Sequence, residues 1–162
     1  MNNMKIISGS VLVVLFLFMQ PAFSETLYNV QFINSSDKNI YIDRDSDYCM
    51  NDAGNAKINI PQNESRTMDL KDSDTLFGCS SSDRYVNWSV RYPDSGNIVR
   101  CGLSFNVDVY VHDTQGAPVA WYVKVNGCNE LVKEVTCSEL VCHNKSVDFY
   151  AMKNKNIKIT FQ

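Results

Sequence analysis

Beyond residue 26 the apolar positions recur at every second residue, and this period of two predicts strands along most of the chain. Tyr28, Val30 and Phe32 share one face, a polar turn follows at Asn34-Ser35-Ser36-Asp37, and Ile40 and Ile42 resume the alternation. That pattern predicts an opening β-hairpin. Residues 43–56 read as a polar loop, and short strands are expected over 57–60 and 65–70, split by Pro61-Gln62-Asn63. The strongest local signal covers 85–105. Val86, Trp88, Val90 and Tyr92 alternate with Asn87, Ser89 and Arg91, Pro93-Asp94-Ser95-Gly96 supplies a turn, and Val99, Cys101, Leu103 and Phe105 line the return strand. A further strand carries Val107, Val109 and Val111. Another carries Val119, Trp121, Val123 and Val125 and ends at the turn dipeptide Asn126-Gly127.

Near the C-terminus, Thr136-Cys137-Ser138-Glu139 fits a capping box and predicts one brief helix over 137–143. Val147, Phe149 and Ala151, a turn at 153–156, then Ile157, Ile159 and Phe161 predict a closing hairpin. About eight to ten short strands with polar turns indicate an all-β chain, a single-domain antiparallel β-sandwich, with a small barrel as the alternative.

The first 24 residues break the pattern. Lys5 precedes an apolar run of about 14 residues, Pro21 ends it, and Ala22-Phe23-Ser24 offers small residues for cleavage before Glu25. This reads as a secretory signal peptide over 1–24, because a membrane span needs roughly 20 apolar residues. The expected folding unit is 25–162, exported and without a transmembrane anchor, secreted or periplasmic. Export makes the cysteines legible. Cys49, Cys79, Cys101, Cys128, Cys137 and Cys142 form an even set, for which disulfides are the default in an oxidising compartment. We join Cys49 to Cys79 and leave the other four to knit the C-terminal half. A zinc site would favour CxxC pairs, which the sequence lacks.

Charge narrows the partners. The chain carries 15 Lys+Arg against 18 Asp+Glu, a net −3, with 20% charged residues. That balance does not suit sequence-independent nucleic-acid binding, which needs clustered cations. Acids dominate 37–83 and lysines dominate 145–162, where they keep edge strands soluble or steer an anionic partner.

Catalytic motifs are scarce. His112 and His143 are the only histidines, and there is no HExxH, GxSxG or P-loop pattern. Asp43, Asp45 and Asp47 alternate like calcium-loop carboxylates, but Tyr48 and Gly54 stand where such a loop needs Gly and Glu. A solvated acidic loop is the expectation, with no metal and no cofactor. The sequons at Asn34, Asn63, Asn87 and Asn144 are treated as incidental among 17 asparagines.

The tyrosines are more suggestive. Tyr41, Tyr110, Tyr122 and Tyr150 each fall opposite the aliphatic set of their segment. On one sheet they would make an outward aromatic surface suited to a protein, glycan or lipid ligand. The opening Val30-Gln31-Phe32-Ile33-Asn34-Ser35 with Ile40-Tyr41-Ile42 resembles the first hairpin of aegerolysin-type lipid-binding proteins and thaumatin-like proteins. The cysteine pattern follows neither family, so no residue role carries over. The functional expectation is a secreted, disulfide-bonded binding protein, a host- or competitor-directed factor or adhesin-like module. The alternatives are a small secreted hydrolase using His112 or His143, and a periplasmic inhibitor or immunity-type protein.

Overall fold

β1 (Leu27–Asn34) and β2 (Ile40–Tyr48) bury alternate residues as expected, yet they do not pair with one another. In this computed structural model, which describes residues 25–73, 79, 82–115 and 118–162, they belong to opposite sheets. The expected signal peptide lies outside the described residues. The physical reason for the arch is Asn34. Its buried side-chain amide donates to the carbonyls of Lys38 (2.7 Å), Ile60 (3.0 Å) and Pro61 (3.0 Å), while its Oδ1 accepts from the Ser36 amide and hydroxyl. A hairpin and an arch share the same two-residue period, and these contacts favour the arch.

The remaining strands are β3 (Met50–Asp52), β4 (Lys57–Ile60), β5 (Ser65–Asp72), β6 (Arg84–Asp94), β7 (Asn97–His112), β8 (Pro118–Gly127), β9 (Val132–Cys137), β10 (Leu140–Val141), β11 (Val147–Asp148) and β12 (Asn156–Phe161). The first sheet runs β10-β9-β12-β1-β5-β3 and the second β11-β8-β7-β6-β2-β4. Every pairing is antiparallel except β1 with β12. The sheets face each other across a shared core, so the chain is a disulfide-stabilised β-sandwich of twelve described strands, more than the eight to ten expected.

Three local expectations fail for the same reason, that tertiary pairing outweighs local pattern. The polar run 43–56 is largely strand, because β2 continues against β6 through to the Tyr48–Tyr85 register pair and β3 follows. The brief helix over 137–143 does not form. Thr136 and Cys137 pair with Lys158 and Ile157 of β12, and Ser138 takes φ 56° in a tight turn into β10. The closing hairpin is also absent: β11 pairs with β8, a 3₁₀ turn at Phe149–Ala151 capped by Asp148 redirects the chain, and β12 enters the first sheet. That turn is the only helical element among the described residues.

The core joins the sheets through aromatic contacts. Phe32 of β1 meets Trp88 of β6 edge-on at 5.6 Å, and Tyr28 of β1 meets Phe105 of β7 at 5.1 Å. Each fully buried side chain of this size contributes about 1.5–3 kcal/mol by leaving water. The outermost strands of both sheets are only two to four residues long, which blunts edge-to-edge aggregation. Disulfides join Cys49 to Cys79, Cys101 to Cys128 and Cys137 to Cys142, and no cysteine is free. No helix among the described residues is long and apolar enough to cross a membrane.

Candidate functional site

Alternation sends every second residue of the second sheet outward, and register decides which of them meet. Tyr48 of β2 lies opposite Tyr85 of β6, their rings stacked at 5.8 Å with planes 23° apart. Continuing across the same row come Asn106 of β7 and Lys124 of β8. One step along, Asp108 of β7 lies opposite Tyr122 of β8, and the Tyr122 ring meets Tyr110 edge-on at 5.1 Å. Tyr110 is 73% exposed and Tyr48 47%. Two aromatic pairs therefore occupy the same end of one sheet face.

Many polar side chains on the rest of that face satisfy one another. Asn87 donates to the Ser46 hydroxyl (3.1 Å), Asn106 donates to Ser104 Oγ (2.9 Å), and the Ser89 hydroxyl donates to Asp45 (2.7 Å). Arg91 Nε donates to Asp43 Oδ2 at 2.8 Å, and Lys124 lies 2.7 Å from Asp108. Such exposed pairs add little stability, but they cancel charge locally.

The four tyrosines marked from the sequence fare differently. Tyr110 and Tyr122 come together, and Tyr41 shares their sheet face but lies toward the other end, with the Arg91 guanidinium 6.0 Å from its ring. Tyr150 is not on a strand at all: it sits in the 3₁₀ turn, edge-on to Phe149 at 5.3 Å and 65% exposed. Tyr48 and Tyr85 were missed. Tyr48 looked like part of a loop. Tyr85, however, falls in step with Asn87, Ser89 and Arg91, and that alternation was a usable signal.

The other candidates are dispersed. Asp43, Asp45 and Asp47 extend along β2 around an irregularity in its pairing with β6 instead of circling one point. Each meets a different partner, Arg91, Ser89 and Arg44 respectively. No group of three or more metal-ligating side chains occurs among the described residues. His112 is exposed and pairs with Pro118 at one end of β8, whereas His143 bridges Val125 near the other, its Nε2 2.9 Å from the Gly127 carbonyl. Seven residues of strand separate those two positions on β8, roughly 24 Å at the usual rise, so the histidines do not act on one bond together. His143 also lines a cleft of about 520 Å³ with Lys133, Glu134 and Lys145. Of the basic tail, Lys145 lines this cleft, whereas Lys155 is drawn onto the Phe149 ring, 3.5 Å from its centroid, and burial lowers the pKa of its ammonium group.

One buried polar cluster was not foreseen. Asp72 of β5 accepts from the Thr26 amide (2.6 Å) and the Tyr28 hydroxyl (3.2 Å) and lies 3.5 Å from Arg84 Nε of β6. Arg84 in turn stacks on Trp121 at 4.3 Å. Burial pushes the Asp72 carboxyl up, against the Thr26 hydrogen bond and the Arg84 charge. Burial, followed by the charge of Asp72, pushes the Tyr28 hydroxyl up further. With both side chains of the ion pair almost fully enclosed, the cluster clamps the two sheets together and offers no open reaction site.

No known protein-family model matches the chain, and no curated protein matches it.

Proposed function

We propose that this protein is an exported binding module whose ligand docks on the outward face of β2, β6, β7 and β8. Export is supported by the cleavable-leader pattern of residues 1–24 and by three disulfides, which persist in oxidising compartments. Binding is supported above all by one observation: two partly exposed tyrosine pairs share one end of a single sheet face. Tyrosine contributes flat contact area at low entropic cost and keeps a hydroxyl for orientation, so it recurs where surfaces recognise ligands. Core packing does not account for the exposure of Tyr48 and Tyr110.

The discriminating experiment replaces Tyr48, Tyr85, Tyr110 and Tyr122 by serine together and compares the variant with the wild-type protein on a glycan array, on phosphatidylcholine vesicles and in capture of proteins from the surrounding medium. The reading predicts that whatever ligand class the wild type retains is lost by the variant while its circular dichroism is unchanged. A ligand retained equally by both proteins would overturn it.

A further inference from the structure

The chemistry between the tyrosine pairs narrows the ligand. We infer that it is a neutral glycan chain, lying across β6, β7 and β8 with Tyr48–Tyr85 and Tyr110–Tyr122 as two stacking platforms; this rests on the binding-face reading above.

Spacing is the first support. Tyr85 and Tyr122 are two strands apart and two residues apart along the sheet, roughly 12 Å between Cα atoms for strands about 4.8 Å apart. A flat extended chain contacts both platforms, whereas a compact small molecule reaches one. Asn106 sits in the interval between them, its amide offering donor and acceptor capacity to hydroxyl groups.

Charge is the second. Asp43 is neutralised by Arg91, and Asp45 accepts from the Ser89 hydroxyl. The one charged pair beside the platforms, Asp108 with Lys124, cancels itself, which leaves amides such as Asn106 and hydroxyls such as Ser104 as the remaining polar groups. Phosphate headgroups, nucleic acids and acidic peptides are held by unpaired cations, which the interval between the platforms does not provide. A lipid surface also calls for protruding aliphatic side chains. Among the described residues, the exposed aliphatic side chains of Leu27, Ile98, Leu140 and Val141 lie instead on β1 and β10 of the other sheet and at the β6–β7 turn. Rows of asparagine and serine flanking flat aromatic rings match a ligand with hydroxyls around its rim and C–H groups on its ring faces.

The test applies the purified protein to an array of neutral glycans (hexose and N-acetylhexosamine oligomers) beside sialylated and sulfated ones, at low and high NaCl, with phosphatidylcholine vesicles in parallel. The variants are Tyr85→Ser and Tyr122→Ser, one on each platform, with Tyr150→Ser as an off-face control and circular dichroism to verify folding. Expected are retention of neutral oligomers independent of salt, a loss of about tenfold in affinity for each platform variant, and no change for the control. Failure to bind any neutral glycan, binding confined to acidic glycans or abolished by salt, or neutral-glycan binding indifferent to both platform variants would overturn the inference. If the same two variants instead abolish binding to vesicles or to a protein, the glycan assignment falls and the binding face stands. If a ligand of any class is bound equally by wild type and both variants, both fall.

Discussion

Arg84 of β6 and Asp72 of β5 form an ion pair across the seam between the two sheets, 3.5 Å apart and with side chains 7% and 5% exposed. Asp72→Ala leaves the guanidinium enclosed without its counter-charge and removes the acceptor for Thr26 and Tyr28. Breaking a buried pair from one side costs about 3–5 kcal/mol. Urea unfolding at neutral pH should show that loss, and a drop below about 1 kcal/mol would mean the pair does not clamp the sheets.

The same carboxyl has a pH signature. Its folded pKa is raised, chiefly by burial, above the ordinary 3.8. The folded state therefore holds this proton more tightly than the unfolded state does, and the Asp72 contribution to stability is largest below that value and declines as pH rises through the folded pKa. Against Asp72→Asn, which cannot titrate, the wild-type advantage should shrink as the pH rises from about 3.8. A gap that widened over this range would contradict the assignment.

Asn34 tests the arch. Three backbone carbonyls depend on its side-chain amide, and two of them belong to the β4 end, in the opposite sheet from β1. Asn34→Ala strands buried acceptors at about 1–3 kcal/mol for an unsatisfied group. A loss of about 2–4 kcal/mol is expected by denaturant titration, with β-sheet circular dichroism retained in the absence of denaturant.

Glycine substitutions should separate by environment. Gly127 has φ +99°, and a Cβ there would stand 2.0 Å from the Gly102 carbonyl oxygen, so Gly127→Ala should cost at least about 3 kcal/mol. Gly96 has φ +83° but open space, which predicts about 1 kcal/mol. Gly102 has open space and no strained φ, and Gly102→Ala should fall within about 0.5 kcal/mol of wild type. Thermal midpoints measured side by side will give the order.

Replacing Cys49 and Cys79 together by alanine releases a cross-link spanning 30 residues. Loop-closure entropy puts the loss at about 3.6 kcal/mol. Denaturant midpoints of the oxidised protein and the double variant measure it directly.

Much of this was written locally. The alternation in Val86, Trp88 and Val90 is that of a strand burying one face, and the Pro93–Gly96 turn places β7 beside β6 without help from the rest of the chain. Tyr110 and Tyr122 were marked as outward for the same reason. Tyr48 was hidden because residues 43–48 carry almost no apolar signal, and only pairing with β6 makes them strand. Asp72 and Arg84 are distant in the fold's local logic, on strands of opposite sheets, and nothing in their spacing announces an ion pair.

By itself, then, the sequence determined the all-β class, the inward and outward sets of most strands, and an even number of cysteines, because these depend on a two-residue period and on counting. The tertiary structure alone decided which strands pair, that β1–β2 arches between sheets, that β12 lies parallel to β1, and that Tyr48 joins Tyr85 while Tyr110 joins Tyr122. A side-chain period is identical for every partner a strand could take; partner choice is a long-range free-energy difference, set here by contacts such as those of Asn34 and by the shared aromatic core.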